Sequence, residues 1–433
     1  MSGALATGRG ACLFIVEFSG PVLHPLPDFS FHCFQCGAEE TLGDSFLCGE
    51  CGAPLSLRFT GAADPALLSL PARSLWDFRA FLPIPREAQV ISLGEGATPL
   101  VMASALAARH RLGAVSLKNE MANPTGSFKD RQVSVGLTWA RSQGFDTVAV
   151  VSSGNVASAA AAYCARAGMK AVLFMHGQAS AAKIAQAQSY GAVIIAVDDP
   201  SPSAVFQLCI EACKTHGWYH LSTAGMYEPW NVEGAKTIAY ELYQQYGGAL
   251  PDWIVAPVGG GGLLGGIWRG LLDLKALGLI SNLPRLAGAQ ATGCAPLQEA
   301  MDNDWNFEEH LAHPWRDPKT IAGAIADDIL FDGHTVLPAL RQTWGTAIAV
   351  TDEAMIEAQG LLARTEGLLC EIATASAIAA LKRLPVMDKG TTVCCIVSGS
   401  GLKDLGRLAE AAAPVPKIPA TLDGLRRVLD QSG

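Results

Sequence analysis

The residues with the plainest chemical potential lie in one string, Asn123-Pro124-Thr125-Gly126-Ser127-Phe128-Lys129-Asp130-Arg131. A Pro-Thr-Gly-Ser turn delivers Lys129 to the point where a loop enters a helix. Ser127 is placed to cap that helix, and a helix amino terminus disfavours a nearby ammonium. An amine held below its usual pKa is a nucleophile toward a carbonyl carbon. A lysine at a helix start is by itself an ordinary exposed residue; the whole string makes it a candidate. Ser152-Ser153-Gly154-Asn155 follows a β-branched run and precedes an alanine-rich segment. The backbone N–H groups of such a turn cradle a carboxylate. Gly259, Gly260, Gly261 and Gly262 also lie between a strand-like and a helix-like segment. Glycines let a backbone approach a phosphate closely, with a helix dipole behind. The run is neither a Walker loop nor G-x-G-x-x-G, which disfavours nucleoside triphosphate and NAD. Ser398 opens Ser398-Gly399-Ser400-Gly401-Leu402-Lys403-Asp404 directly after another strand-like run, where its hydroxyl is placed to hydrogen-bond a ring nitrogen.

Read singly, each of the last three motifs is equally a capped turn. Together the four fit one coenzyme. Pyridoxal 5'-phosphate needs an amine for its aldehyde, a cradle for its phosphate, a partner for its ring nitrogen and a donor near its phenolic oxygen. Parallel sheets bring ligands to the carboxyl ends of their strands, so the four turns are expected on one rim.

A second constellation lies nearer the amino terminus. Cys33-x-x-Cys36 is followed after eleven residues by Cys48-x-x-Cys51, with a glycine after each pair. Two such knuckles suit a tetrahedral zinc site of four thiolates with no open position, and therefore a structural metal. A redox dithiol or unliganded thiols is the other reading. The remaining eight of the 12 cysteines lie mostly in apolar segments, where a thiol packs as a small hydrophobe.

The elements that must position these residues read as alternating strands and helices. Strands are expected at 147–151, 170–175, 192–197, 253–258, 285–290, 347–350 and 392–397. Helices are expected at about 155–167, 180–190, 203–216, 231–246 and 263–276. Continuous apolar strands alternating with helices mean an α/β protein with parallel sheets covered on both faces. Residues 303–318, with Trp305 and Trp315 among acids and prolines, read as a surface excursion.

At 433 residues the chain exceeds one ordinary core, so two domains plus an appendage are expected. Hydrophobic residues make up 50% and charged residues 16%, a globular composition. Net charge is −9 and no basic stripe is visible, which argues against nucleic acid as a partner. No apolar run reaches the roughly 18 residues of a membrane span. Ala11–Val16 is cut short by Glu17, too early for a secretory signal. A soluble, cytoplasmic protein acting on a small molecule is expected.

The motifs resemble those of the threonine synthase family, within the tryptophan-synthase-β-like, fold type II pyridoxal-phosphate enzymes. Ile91-Ser-Leu-Gly-Glu-Gly-Ala-Thr-Pro-Leu100 resembles that family's G-E-G-N-T-P-L, and Asn123–Arg131 its lysine motif. Val397–Asp404 resembles T-G-x-G-L-K-D with Ser398 in place of threonine, and relatives also carry a zinc-ribbon-like segment. The resemblance implies two parallel-sheet domains and an amino-terminal zinc-ribbon-like module. The divisions expected are 1–60 for the module, 75–129 plus 236–433 for a large coenzyme-binding domain, and 130–235 for a small α/β domain. It implies Lys129 as the Schiff-base lysine, Asn155 at the coenzyme's 3' oxygen, Gly259–Gly262 at its phosphate and Ser398 at its pyridine nitrogen. Ser152, Ser153 and Gly154 are expected to hold the substrate. A neutral hydroxyl at the ring nitrogen suits elimination and replacement more than transamination. A homodimer is implied by the resemblance alone.

Three departures bear on the substrate. Asn231 stands where the family places a phosphate-binding arginine, and Met226 where it places a serine. Gln132 follows Arg131 in place of the usual glycine. The activity expected is a pyridoxal-phosphate-dependent, threonine synthase-like lyase that removes the α-proton of an amino acid and expels a β or γ substituent. The alternatives are β-elimination or β-replacement on a serine- or phosphoserine-like substrate, and a coenzyme-binding regulatory protein without catalysis.

Overall fold

In this computed structural model residues 26, 28–41, 46–176, 181–198, 202–385 and 388–430 are described. The short apolar run 11–16 lies outside them. Two compact units divide the chain, Met1–Lys403 and Asp404–Gly433. The second contains the helices Leu405–Ala411 and Leu422–Leu429.

Among the described residues the first unit holds three sheets. β1 (Phe29–His32), β2 (Glu39–Glu40) and β3 (Ser56–Phe59) form a small antiparallel sheet in the order β2-β1-β3. β4 (Leu100–Met102), β5 (Ala114–Asn119), β10 (Trp253–Pro257), β11 (Arg285–Ala291), β12 (Thr346–Val350) and β13 (Thr392–Val397) form a six-stranded sheet in the order β12-β11-β10-β13-β5-β4. β6 (Thr147–Val151), β7 (Lys170–His176), β8 (Val193–Val197) and β9 (Tyr219–His220) form a four-stranded sheet in the order β8-β7-β6-β9. Every pairing in the two larger sheets is parallel except that of β4 with β5. The α/β class follows, with an antiparallel strand at one edge that the sequence reading lacked.

The central strands are buried throughout, as their unbroken apolar sequences require. β10 (Trp-Ile-Val-Ala-Pro) has no exposed residue. Helix Asn155–Ala167 buries its alanine face and ends on Gly168 in the left-handed region, φ 65°. Helix Gly262–Ala276 carries glycine at every fourth position of its first half, one face of the helix. A Cβ at Gly266 would come within 2.5 Å of Ala235 Cβ, and one at Gly270 within 2.3 Å of the Lys236 carbonyl. The stripe therefore lets segment 235–239 lie against the helix that begins at the glycine run.

One expectation needs correction. The helix expected over 231–246 is three pieces, Pro229–Val232, a 3₁₀ turn Glu233–Lys236, and Thr237–Gln245. Gly234 lies so close to the Arg131 carbonyl that a Cβ there would come within 2.1 Å of it. The tighter turn accompanies this close approach. The stretch 303–318 is mostly exposed, as expected, and is anchored at a few points: Trp305 packs against the core, Trp315 donates to the Gly293 carbonyl at 2.9 Å, and the buried His310 accepts from the Leu330 N–H at 2.8 Å. Among the described residues no helix is long and apolar enough to cross a membrane.

Candidate active site

Lys129 is the first residue of helix Lys129–Ser142. The turn before it is stitched to the turn after β13. The Phe128 N–H donates to the Ser398 carbonyl at 3.0 Å, and the Ser400 N–H donates to the Gly126 carbonyl at 2.9 Å. Phe128, not Ser127, occupies the cap position; the Ser127 hydroxyl is buried and has no hydrogen-bond partner. The Ser127 backbone forms a bridge with Gly399. Lys129 is half-buried, and its Nζ donates to Gln132 Oε1 at 3.1 Å. Loss of hydration lowers its pKa to about 8, against the opposing pull of Asp327 and Asp332.

β10 ends at the glycine run. Gly261 has φ 102°, a conformation that side chains rarely adopt, and Gly262 begins a helix of 15 residues. The segment 323–336 closes over this loop: a Cβ at Gly259 would meet Asp327 Oδ2 at 2.6 Å, and one at Gly261 would meet Val336 at 2.8 Å. Burial raises both carboxyls, Asp327 and Asp332, to about 6. The Gly225 N–H donates to Asp332 Oδ1 at 2.9 Å.

The turn after β6 arrives from the other large sheet. Asn155 Nδ2 donates to Glu371 Oε2 at 2.8 Å, and the same Nδ2 lies 3.3 Å from the Cβ position of Gly399. The Ser152 N–H is used by the Phe174 carbonyl and the Gly154 N–H by Ser152 Oγ. Ser398 exchanges a hydrogen bond of 2.8 Å with Thr374. The expected single rim is thus a meeting of two sheets: β6 belongs to the four-stranded sheet, β10 and β13 to the six-stranded one. The four motifs are nonetheless linked, Lys129 to Gln132 and onward to Gly262, the lysine turn to Ser398 and Gly399, and Asn155 to Gly399.

Sequence reasoning missed Asp327, Asp332, Glu371 and Thr374, which come from segments without a motif. Gln132 was visible as a departure and as the i+3 neighbour of Lys129, a spacing that puts both on one helix face. Met226 and Asn231, the departures at positions where the resemblance implies phosphate binding, are buried. Met226 packs with Phe307, Leu311 and Ile329. Asn231 Nδ2 donates to the Ser222 carbonyl at 3.0 Å.

A pyridoxal phosphate fits the residues present. Ser127 Oγ, Gln132 Nε2 and Asn155 Oδ1 are buried polar atoms without partners; Gln132 bonds the amine of lowered pKa and lies beside Gly262 at the glycine helix start, and the Asn155 side chain lies beside Gly399.

The four motif cysteines also converge. Their sulfurs lie within 4.8 Å of one another, with Cys33 to Cys51 at 3.5 Å and Cys36 to Cys48 at 3.6 Å. The two knuckles match bond for bond: Gly37 donates to the Cys33 carbonyl and Gly52 to the Cys48 carbonyl, each at 2.9 Å. The module packs on the helices of the site through aromatic rings. Phe34 lies 4.6 Å from Trp268 on the glycine-loop helix, and Phe31 lies 6.2 Å from Trp230, which stacks at 4.9 Å on Trp139 of the lysine helix.

Residues 91–399 match the family described as pyridoxal-phosphate dependent enzyme. Threonine synthase of Methanocaldococcus jannaschii is 34% identical over 410 residues, 92% of this chain and 99% of that protein. Threonine synthase of Mycobacterium tuberculosis is 36% identical over 356 residues, 80% of this chain and 93% of that protein. A solved fungal L-serine ammonia-lyase from Rhizomucor miehei superposes with a TM-score of 0.62 at 21% identity, over 75% of this chain and 100% of that one, a likeness of fold. The lysine turn, Ser152–Asn155, the glycine run and Ser398 all fall within the matched span, and the chain belongs to the pyridoxal-phosphate dependent enzymes, among the threonine synthase-like members of that family.

Proposed function

We propose that Lys129 is the residue that would hold the coenzyme by its aldehyde, and that its Nζ takes the α-proton of an amino-acid substrate. The observation that carries this is the half-buried amine hydrogen-bonded to Gln132, which lies beside the glycine-built helix start; loss of hydration there lowers the amine toward about 8. An amine tuned near neutrality serves as a general base at working pH. Gly259, Gly260, Gly261 and Gly262 offer backbone N–H groups and the helix dipole to the phosphate. Ser398 would meet the ring nitrogen as a neutral hydroxyl, and Asn155, with one Nδ2 proton on Glu371, would offer the other to the 3' oxygen. In the turn Ser152-Ser153-Gly154, two N–H groups are already engaged, so the substrate carboxylate falls to the N–H groups of Ser153 and Asn155. When bound, pyridoxal phosphate supplies an electron sink for the pair left on Cα. The resulting activity is that of a threonine synthase-like lyase on an amino acid.

The leaving group is the open choice between two readings. O-phosphohomoserine, the substrate of threonine synthases, carries a dianion that needs cationic partners. Met226 sits in an apolar cluster and Asn231 is tied to Ser222, so neither supplies one. This favours the serine-like branch of the second reading, elimination or replacement at Cβ of a serine- or phosphoserine-like substrate, because phosphoserine carries the same dianion. Incubation with O-phosphohomoserine, O-phosphoserine and serine separates them by product: threonine with phosphate, or an oxo acid with ammonia. Turnover of none, with an unchanged coenzyme spectrum, would overturn the enzymatic reading.

We further assign the cysteine cluster to one structural zinc ion held by Cys33, Cys36, Cys48 and Cys51. Four thiolates about 2.3 Å from a tetrahedral zinc lie about 3.8 Å apart, near the spacings found here. The three sheets among the described residues support the division into the module 1–60, a coenzyme-binding domain of 75–129 with 236–433, and a smaller domain 130–235; chain compactness divides differently, at Lys403, with Asp404–Gly433 a unit outside the coenzyme-binding domain. Because Phe34 and Phe31 brace the helices of the site, chelation is expected to lower the melting temperature and weaken coenzyme retention together. Metal analysis should find about one zinc per chain; none, with four freely titrating thiols, would refute the assignment.

A further inference from the structure

Gln132 is wholly buried on the helix that begins with Lys129, and its side chain is only half used. Oε1 accepts from Lys129 Nζ at 3.1 Å, while Nε2 has no hydrogen-bond partner. An unpaired amide in a dry interior is costly, so its position calls for a partner. Nε2 lies 3.4 Å from the Cβ position of Gly262, the first residue of the helix behind the glycine loop. Asp332 Oδ2 shares that corner, 3.1 Å from the same position, without hydrogen-bonding the amide. A bare donor beside a helix amino terminus is the complement of an anion.

We propose that Gln132 is a coenzyme ligand in its own right: its Nε2 donates to the phosphate of pyridoxal phosphate while its Oε1 steadies the amine of Lys129. This rests on the reading of Lys129 and the glycine loop given above. One carboxamide then fixes the distance between the amine and the phosphate, the two ends by which the coenzyme is held. The hydrogen bond is charge-assisted and worth about ten- to a hundredfold in affinity.

The test compares two probes on the full chain, pyridoxal phosphate and pyridoxal, which lacks the phosphate. Coenzyme is removed from the holoenzyme and returned, and binding is followed by absorbance for wild type, Gln132→Met and Gln132→Glu. In Gln132→Met, pyridoxal phosphate should bind about tenfold or more weakly, with pyridoxal changed by about twofold or less. Gln132→Glu keeps the size and the acceptor but removes the donor and adds charge, so its loss for pyridoxal phosphate should exceed that of Gln132→Met. Equal losses for both probes would make Gln132 only a partner of Lys129, and no loss for either would leave it a packing residue; each overturns the proposal. Circular dichroism establishes that a variant is folded, and if Gln132→Met is not, the same comparison is read from Gln132→Glu and Gln132→Asn. Failure of the underlying reading shows separately, in wild type, as pyridoxal phosphate that is not attached at Lys129.

Discussion

Lys129→Ala is expected to abolish covalent attachment of pyridoxal phosphate and to lower turnover by about 10²–10⁴-fold or more, the range for removing a positioned base. Borohydride reduction of the wild-type holoenzyme should fix the coenzyme to a peptide containing Lys129, and the variant should yield no labelled lysine. The environment sharpens this into a pH prediction. Burial lowers the amine to about 8, while Asp327 and Asp332 pull the other way. Only the neutral amine attacks an aldehyde, so the rate of coenzyme capture should rise as pH approaches 8 and level off above it. An exposed lysine, near 10.4, would keep accelerating to pH 10. A capture rate that climbs through that range, or label on another lysine, would remove Lys129 from the centre of the site.

The legible part of this site was the part written locally. Lys129, Ser152–Asn155, Gly259–Gly262 and Ser398 each sit at a junction between an element and its turn, where glycine, serine and proline have definite conformational uses. The apolar runs at 147–151, 253–257 and 392–397 were legible because a strand buried on both faces leaves no room for alternation. β5 was missed because it carries Ser116 and Lys118, both buried; their solvent-like chemistry hides a central strand. Lys118 is tolerated there because it donates to Glu241 at 2.6 Å and to the Thr98 carbonyl at 2.7 Å, and Glu241 lies more than a hundred residues away. Asp327 and Asp332 were hidden for the same reason. Nothing within a few residues of either signals that its segment folds over the glycine loop. What the chain writes in its turns can be read; what depends on distant segments meeting must be seen.

The same point explains why Arg131, two residues beyond the reactive lysine, is expected to matter for stability before it matters for chemistry. Its guanidinium is wholly buried. Nε and Nη2 donate to the two Glu120 oxygens at 2.6 and 2.8 Å, Nη1 and Nη2 to the two Glu241 oxygens at 2.5 and 2.8 Å, and Thr237 and Thr98 take the remaining bonds. With Lys118 the cluster holds two cations and two carboxylates and is neutral. Arg131→Met keeps much of the volume and leaves an uncompensated negative charge in a dry interior. Breaking such a buried pair costs about 3–5 kcal/mol, read as a lower urea midpoint at unchanged slope. Arg131→Lys keeps the charge and forfeits the paired forks, so it should fall between the two. The cluster also sets acid stability. Burial alone would raise Glu241, but Arg131 and Lys118 outweigh it and hold it at about 2. A depressed carboxylate contributes stability above its ordinary pKa and loses it as pH falls toward the depressed value. The wild type should therefore lose stability between roughly pH 4 and pH 2, and Arg131→Met should lack much of that dependence. Coenzyme binds only the folded chain, so excess pyridoxal phosphate should recover part of the variant's deficit. A variant that matches wild type in urea but binds no coenzyme would place Arg131 in the site instead of beneath it.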